Sequence, residues 1–147
     1  MQSSAELIAS EQARGVKTLH LILLGAGVLV AVVFLMLVRL RGPILVPDAA
    51  TPVIAYSSAG IALTAVAFAV LLVRGRIPER ASSEGGNDYW SNGAVRGRSV
   101  LLWILCENAG IVSGTGFLLT GHMAPFLTQA VALMALAWFA PSRIAQA

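Results

Sequence analysis

Apolar positions fall in four runs, at 16–38, 52–73, 99–120 and 124–139, separated by stretches where charged residues, proline and glycine concentrate. None of the runs alternates apolar and polar residues with period two, so membrane-spanning strands are excluded and helices are predicted. A helix needs about 20 residues to cross the hydrocarbon of a bilayer. The first three runs reach that length; the fourth is shorter and is expected to thin the bilayer locally or tuck behind its neighbours. The predicted fold class is all-α: a single membrane domain over 1–147, built as a four-helix transmembrane bundle.

The polar stretches sharpen the boundaries. The first 15 residues place Ala5, Leu7 and Ile8 on one side and Glu6, Glu11 and Arg14 elsewhere, a pattern that fits either a short surface helix or a frayed polar tail. Helix one is expected to stop at Arg39, Arg41, Gly42 and Pro43, and an outer loop with Pro47 and Asp48 leads to Thr51 and Pro52, a cap and first-turn pair for helix two. Residues 74–98 contain Pro78, SSEGGND and SNG, and are predicted to be a cytoplasmic linker with a mobile middle. Tyr89, Trp90, Trp103 and Trp138 all fall toward that side, which predicts an interfacial aromatic belt. The link Gly121–His122–Met123 is so short that helices three and four must form a tight antiparallel hairpin.

Composition adds class and orientation. With 57% hydrophobic and 12% charged residues the chain is too apolar for an ordinary soluble core. Of the ten Lys and Arg, Arg14, Lys17, Arg74, Arg76, Arg80, Arg96, Arg98 and Arg143 fall in the amino-terminal tail, the linker and the carboxyl-terminal tail; only Arg39 and Arg41 fall on the other side. The positive-inside rule then predicts both termini cytoplasmic. The net charge of +3 has this use rather than nucleic-acid binding, since no folded soluble surface combines basic residues with aromatics. A mixed-charge start and a long first run predict an uncleaved first helix. One cysteine, Cys106, permits no intramolecular disulfide.

The candidate chemistry centres on Glu107, the one carboxylate inside the four runs. An ionisable residue within a membrane helix is costly and marks a functional site by default. Residues three and seven beyond it, Gly110 and Gly114, share its face, and Ser113 makes the adjoining surface small and mildly polar. No Lys or Arg lies at comparable depth, so the carboxyl is poised for proton or small-cation binding rather than for a structural ion pair. The candidate partner is His20 on helix one, which starts from the same side and shares a stripe with Gly27. The competing expectations are a protonated, hydrogen-bonded Glu107 serving only packing, and an interfacial His20 bonded to a headgroup or to backbone.

Other chemistries lack residues. His20 and His122 should lie on opposite sides of the membrane, which argues against a shared metal or haem iron. No phosphate-binding glycine loop and no nucleophile–base spacing is present, so neither a cofactor nor enzymatic activity is expected.

Two motifs carry a resemblance. TLHLILLGAG at 18–27, and the stretch from Leu102 to Gly121 with Glu107, Phe117 and LLTG, resemble a group of small four-helix bacterial membrane proteins of no assigned activity, although Asn108 stands where a glycine is common in that group. This resemblance implies a bacterial inner-membrane location. The carboxylate followed by glycines is also distantly similar to the ion-binding helix of the rotary ATPase proteolipid subunit, which implies Glu107 as a carrier within a ring of copies. Laying Ala26–Gly27 on Ala109–Gly110 brings Leu19 onto Leu102 and Phe34 onto Phe117, so two copies of one hairpin, with Glu107 replacing Leu24, are one expectation for the four helices. Two functions are therefore expected: proton or small-cation binding or translocation in a homo-oligomer or larger membrane complex, or a non-catalytic membrane subunit or assembly factor.

Overall fold

The computed structural model describes residues 4–44, 46–81, 83 and 85–146, and among these it is helical with no strand. The first helix, α1 (Ser4–Arg41), runs 38 residues without a proline and ends where Gly42 takes a positive φ of 80° ahead of Pro43. At 1.5 Å per residue it is about 57 Å long, well beyond a bilayer's hydrocarbon thickness. The second helix, α2 (Thr51–Phe68), continues through one π-helical turn, Ala69–Val73, and a 3₁₀ turn, Arg74–Arg76, before the chain extends at Ile77.

A six-residue helix, α3 (Gly86–Ser91), precedes α4 (Gly93–Thr120). Asn92 caps α4, its Oδ1 accepting from the Ala94 N–H at 2.9 Å. Gly121 closes α4 in the left-handed region at φ 66°, donating to the Phe117 carbonyl at 2.7 Å. Its lack of a Cβ also leaves room for Pro43, whose ring would lie 3.3 Å from one. After this turn His122 caps α5 (Met123–Trp138), its Nδ1 accepting from the Ala124 N–H at 3.2 Å, and a short α6 (Pro141–Ile144) follows.

The helix α4 is the hub. It lies against α1, α2 and α5, and α2 also touches α5. Half of the most apolar stretch of α4 is buried, a third of that of α2 and none of that of α1. Three helices, α1, α2 with its continuation, and α4, are long and apolar enough to cross a membrane, and α5 is a shorter apolar helix. The outer surface is correspondingly oily, with Leu21, Leu29, Leu40, Val53, Leu71, Leu127 and Met134 all exposed. Such a surface is a liability in water and none in lipid.

Several expectations change. The first 15 residues, from Ser4 on, are neither a tail nor a separate helix: they continue α1, and Ala9, Ala13 and Val16 are buried on it. The linker is partly ordered, because α3 brings Tyr89 and Trp90 into a core with Ala13, Val16, Val95, Leu102, Trp103 and Ile144. Ser82 and Glu84 in its middle, where mobility is expected, lie outside the described residues. Consequently α4 starts at Gly93, ahead of the apolar run that begins at Ser99. The aromatic residues are not a belt: Tyr89, Trp90 and Trp103 are interior, and only Trp138 is exposed, with the Arg143 guanidinium 4.1 Å above its ring. The two hairpins are also not packed alike. Among the described residues α4 and α5 lie side by side along their length, whereas α1 and α2 sit on different flanks of α4 and scarcely meet.

Candidate functional site

Glu107 sits at the margin of the buried arc of α4. With 100° per residue, Trp103, Gly110 and Gly114 lie just inside that margin and are buried, while Ile104, Asn108 and Ile111 lie outside and are exposed. The carboxyl is half-buried, and among the described residues it makes no hydrogen bond and no ion pair. The adjacent glycines are occupied by α5 rather than left open. A Cβ on Gly114 would meet the Gln129 amide nitrogen at 2.5 Å, and one on Gly110 would touch Ala132 at 3.9 Å. Gly27 of α1 also faces α5, with Leu133 Cδ2 2.8 Å from the position of a Cβ. On the other side of α4, Gly116 admits Ser58 of α2 so closely that a Cβ there would collide with its hydroxyl.

His20 is held by a hydrogen bond to α5 rather than to Glu107. It is 3% exposed, its Nε2 donates to the Leu136 carbonyl at 2.9 Å, and its ring stands edge-on to Trp103 with centroids 4.9 Å apart. Trp103 Nε1 donates to the Phe139 carbonyl at 2.7 Å. The end of a helix leaves carbonyls without intrahelical donors; here α1 and α4 each send a ring N–H to the carboxyl end of α5. His122 caps the opposite end of α5 and lies edge-on to Tyr56, so the two histidines are a helix length apart.

Ser113 is fully buried and donates to the Ala109 carbonyl at 2.7 Å, which makes it a helix-satisfied hydroxyl rather than a ligand-facing one. Sequence reasoning passed over two buried polar side chains. Gln129 is 2% exposed and Ser99 fully buried, and Gln129 Oε1 and Ser99 Oγ have no hydrogen-bond partner among the described residues. The signal for Gln129 was its position as the sole amide in the apolar run 124–139. It borders a cavity of about 210 Å³ between α1 and α5, walled by Ala31, Leu35, Phe126 and Leu133. Cys106 is buried and free. No group of three or more His, Cys, Asp or Glu side chains able to hold a metal occurs among the described residues.

What the arrangement offers chemically is a carboxyl without a partner among the described residues on an apolar helix margin and, two turns further along α4, an amide seated at Gly114 whose Oε1 also lacks a partner among them. No family model, no curated protein and no solved structure matches this chain.

Proposed function

We propose that the chain is a bacterial inner-membrane protein in which α1, α2, α4 and α5 form a four-helix transmembrane bundle with both termini cytoplasmic, and that Glu107 binds or passes a proton or small cation. The observation that carries the reading is the half-buried Glu107 carboxyl with no hydrogen-bonding or charged partner among the described residues, on an otherwise apolar stretch. In hydrocarbon such a group is costly unless it is protonated, paired or ion-bound, and a group that changes between those states is what uptake and release require. His20 has its Nε2 committed to the Leu136 carbonyl, so a relay through it would use Nδ1.

The test is Glu107→Gln in proteoliposomes, an isosteric change at a half-buried position that leaves insertion intact. Proton- or cation-dependent flux, followed with an entrapped pH- or ion-sensitive dye, is expected to be lost; flux equal to the unaltered protein overturns the proposal.

A second reading rests on a different observation, that none of the most apolar stretch of α1 is buried. In it the chain is a non-catalytic subunit, and a partner helix supplies the donor that Glu107 lacks. Mild-detergent purification with mass measurement distinguishes them, a homo-oligomer or monomer favouring the first and a stoichiometric larger partner the second.

A further inference from the structure

At the end that carries Lys17, α1, the last turn of α5 and the start of α6 border an open cavity of about 340 Å³ lined by Lys17, His20, Leu21, Leu24, Ala137 and Ser142, among others. A second cavity of about 210 Å³ shares Lys17 and Ser142 and adds Arg80 and Trp90. Among the described residues neither is lined by an Asp or Glu, so the polar end of the pair presents the Lys17 ammonium and the Ser142 hydroxyl, and the other end is aliphatic. His20 is nearly fully buried and borders the larger cavity; its Nε2 is used by Leu136, and no partner for Nδ1 is found among the described residues. A groove with a cationic mouth and an aliphatic floor is complementary to one kind of molecule, an amphiphile with an anionic head.

We propose that this groove is a binding site for an anionic phospholipid, its phosphate between Lys17 and Ser142 and one acyl chain against Leu21, Leu24 and Ala137. Basic pockets between helices on the cytoplasmic side are suited to such headgroups, and a lysine near the surface favours an anionic lipid measurably. The inference rests on the membrane reading, which brings Lys17 to the headgroup level, and is independent of any ion traffic at Glu107.

The test uses the full chain in mild detergent, with native mass spectrometry after adding dioleoylphosphatidylglycerol or dioleoylphosphatidylcholine, whose tails are identical. Retention of the anionic lipid is expected to exceed that of the zwitterionic one by about fivefold, the preference of a single well-placed lysine. Lys17→Gln, at an exposed position, removes the preference. Ala137→Trp fills the aliphatic floor and lowers retention of both lipids, and Arg39→Gln at the far end changes nothing. Equal retention of the two lipids, or a preference unaffected by Lys17→Gln, overturns the site. Displacement of the lipid by millimolar inorganic phosphate overturns it too, since the groove would then read a free anion. Alkaline carbonate washing of membranes reports separately on the membrane reading: release of the chain sinks that reading, whereas an integral chain with no lipid preference sinks only the site.

Discussion

Single glycines decide how close the helices come, and they do so for different partners. Gly116 admits the hydroxyl and Cβ of Ser58, and the Cβ is fixed to its own backbone and unable to swing away. Gly114 admits the end of a flexible amide, which has more freedom to adjust. Between helices in lipid, where apolar burial gives no advantage over acyl chains, such close approach is the main source of association energy. Gly116→Ala should therefore destabilise the protein in detergent by about 1–3 kcal/mol, the usual cost of overpacking. Ser58→Gly in the same chain should recover much of the loss. Thermal unfolding of the two single variants and the double variant measures this; additive losses would show that the two residues do not meet. That Gly114 shares a small-residue face with Gly110 follows from their spacing, but which helix that face seats, and that Gly116 seats another, does not, because periodicity gives a face and not its neighbour.

At the scale of elements, α5 is the short helix, and its carboxyl end is finished by side chains from α1 and α4. Trp103→Phe keeps an aromatic ring but removes the N–H that serves the Phe139 carbonyl. A carbonyl left buried without a donor costs about 1–3 kcal/mol, so the melting temperature should fall, and hydrogen exchange should rise in the last turn of α5 before it rises in α4. Unchanged exchange there would show that this bond is incidental. The long elements could be read from four apolar runs, and the turns at Gly42 and Gly121 from glycine next to proline or histidine. Two short pieces could not. The first turns of α1 could be read as a short surface helix or a frayed tail but not as part of helix one, and GNDYWS reads as a loop because six residues do not sustain a helix on their own. Both form because Ala13 and Val16 of one share a core with Tyr89 and Trp90 of the other. Glu107 was visible as an anomaly of composition. Gln129 was visible too, but its burial depended on Gly114 lying opposite, which no single run reveals.

The whole molecule has two regimes. At one end, aromatic rings, α3 and the start of α1 form a conventional core, and Tyr89 Oη donates to the Pro78 carbonyl at 2.7 Å to tie the linker down. Along the remaining length, small residues seat neighbours and the outer face is apolar. The proposed orientation puts the aromatic end in the cytoplasm, where water drives its burial. In a Cys106→Ala background, Asp48→Cys should react with a membrane-impermeant maleimide in intact cells, and Glu79→Cys only after permeabilisation; both positions are exposed. Labelling of both from one side would refute the topology.

The placement of α4 between α1 and α2 bears on how the chain is made. Synthesis delivers α1 and α2 first, yet these two scarcely touch, so neither gives the other a docking surface. Until α4 leaves the ribosome they are separate rods in lipid, and assembly is a late event completed when the final hairpin wedges in. Tension recorded on stalled nascent chains should accordingly stay flat after α2 emerges and rise only with α4; an early rise would mean that the first two helices find each other by a route the finished protein no longer retains.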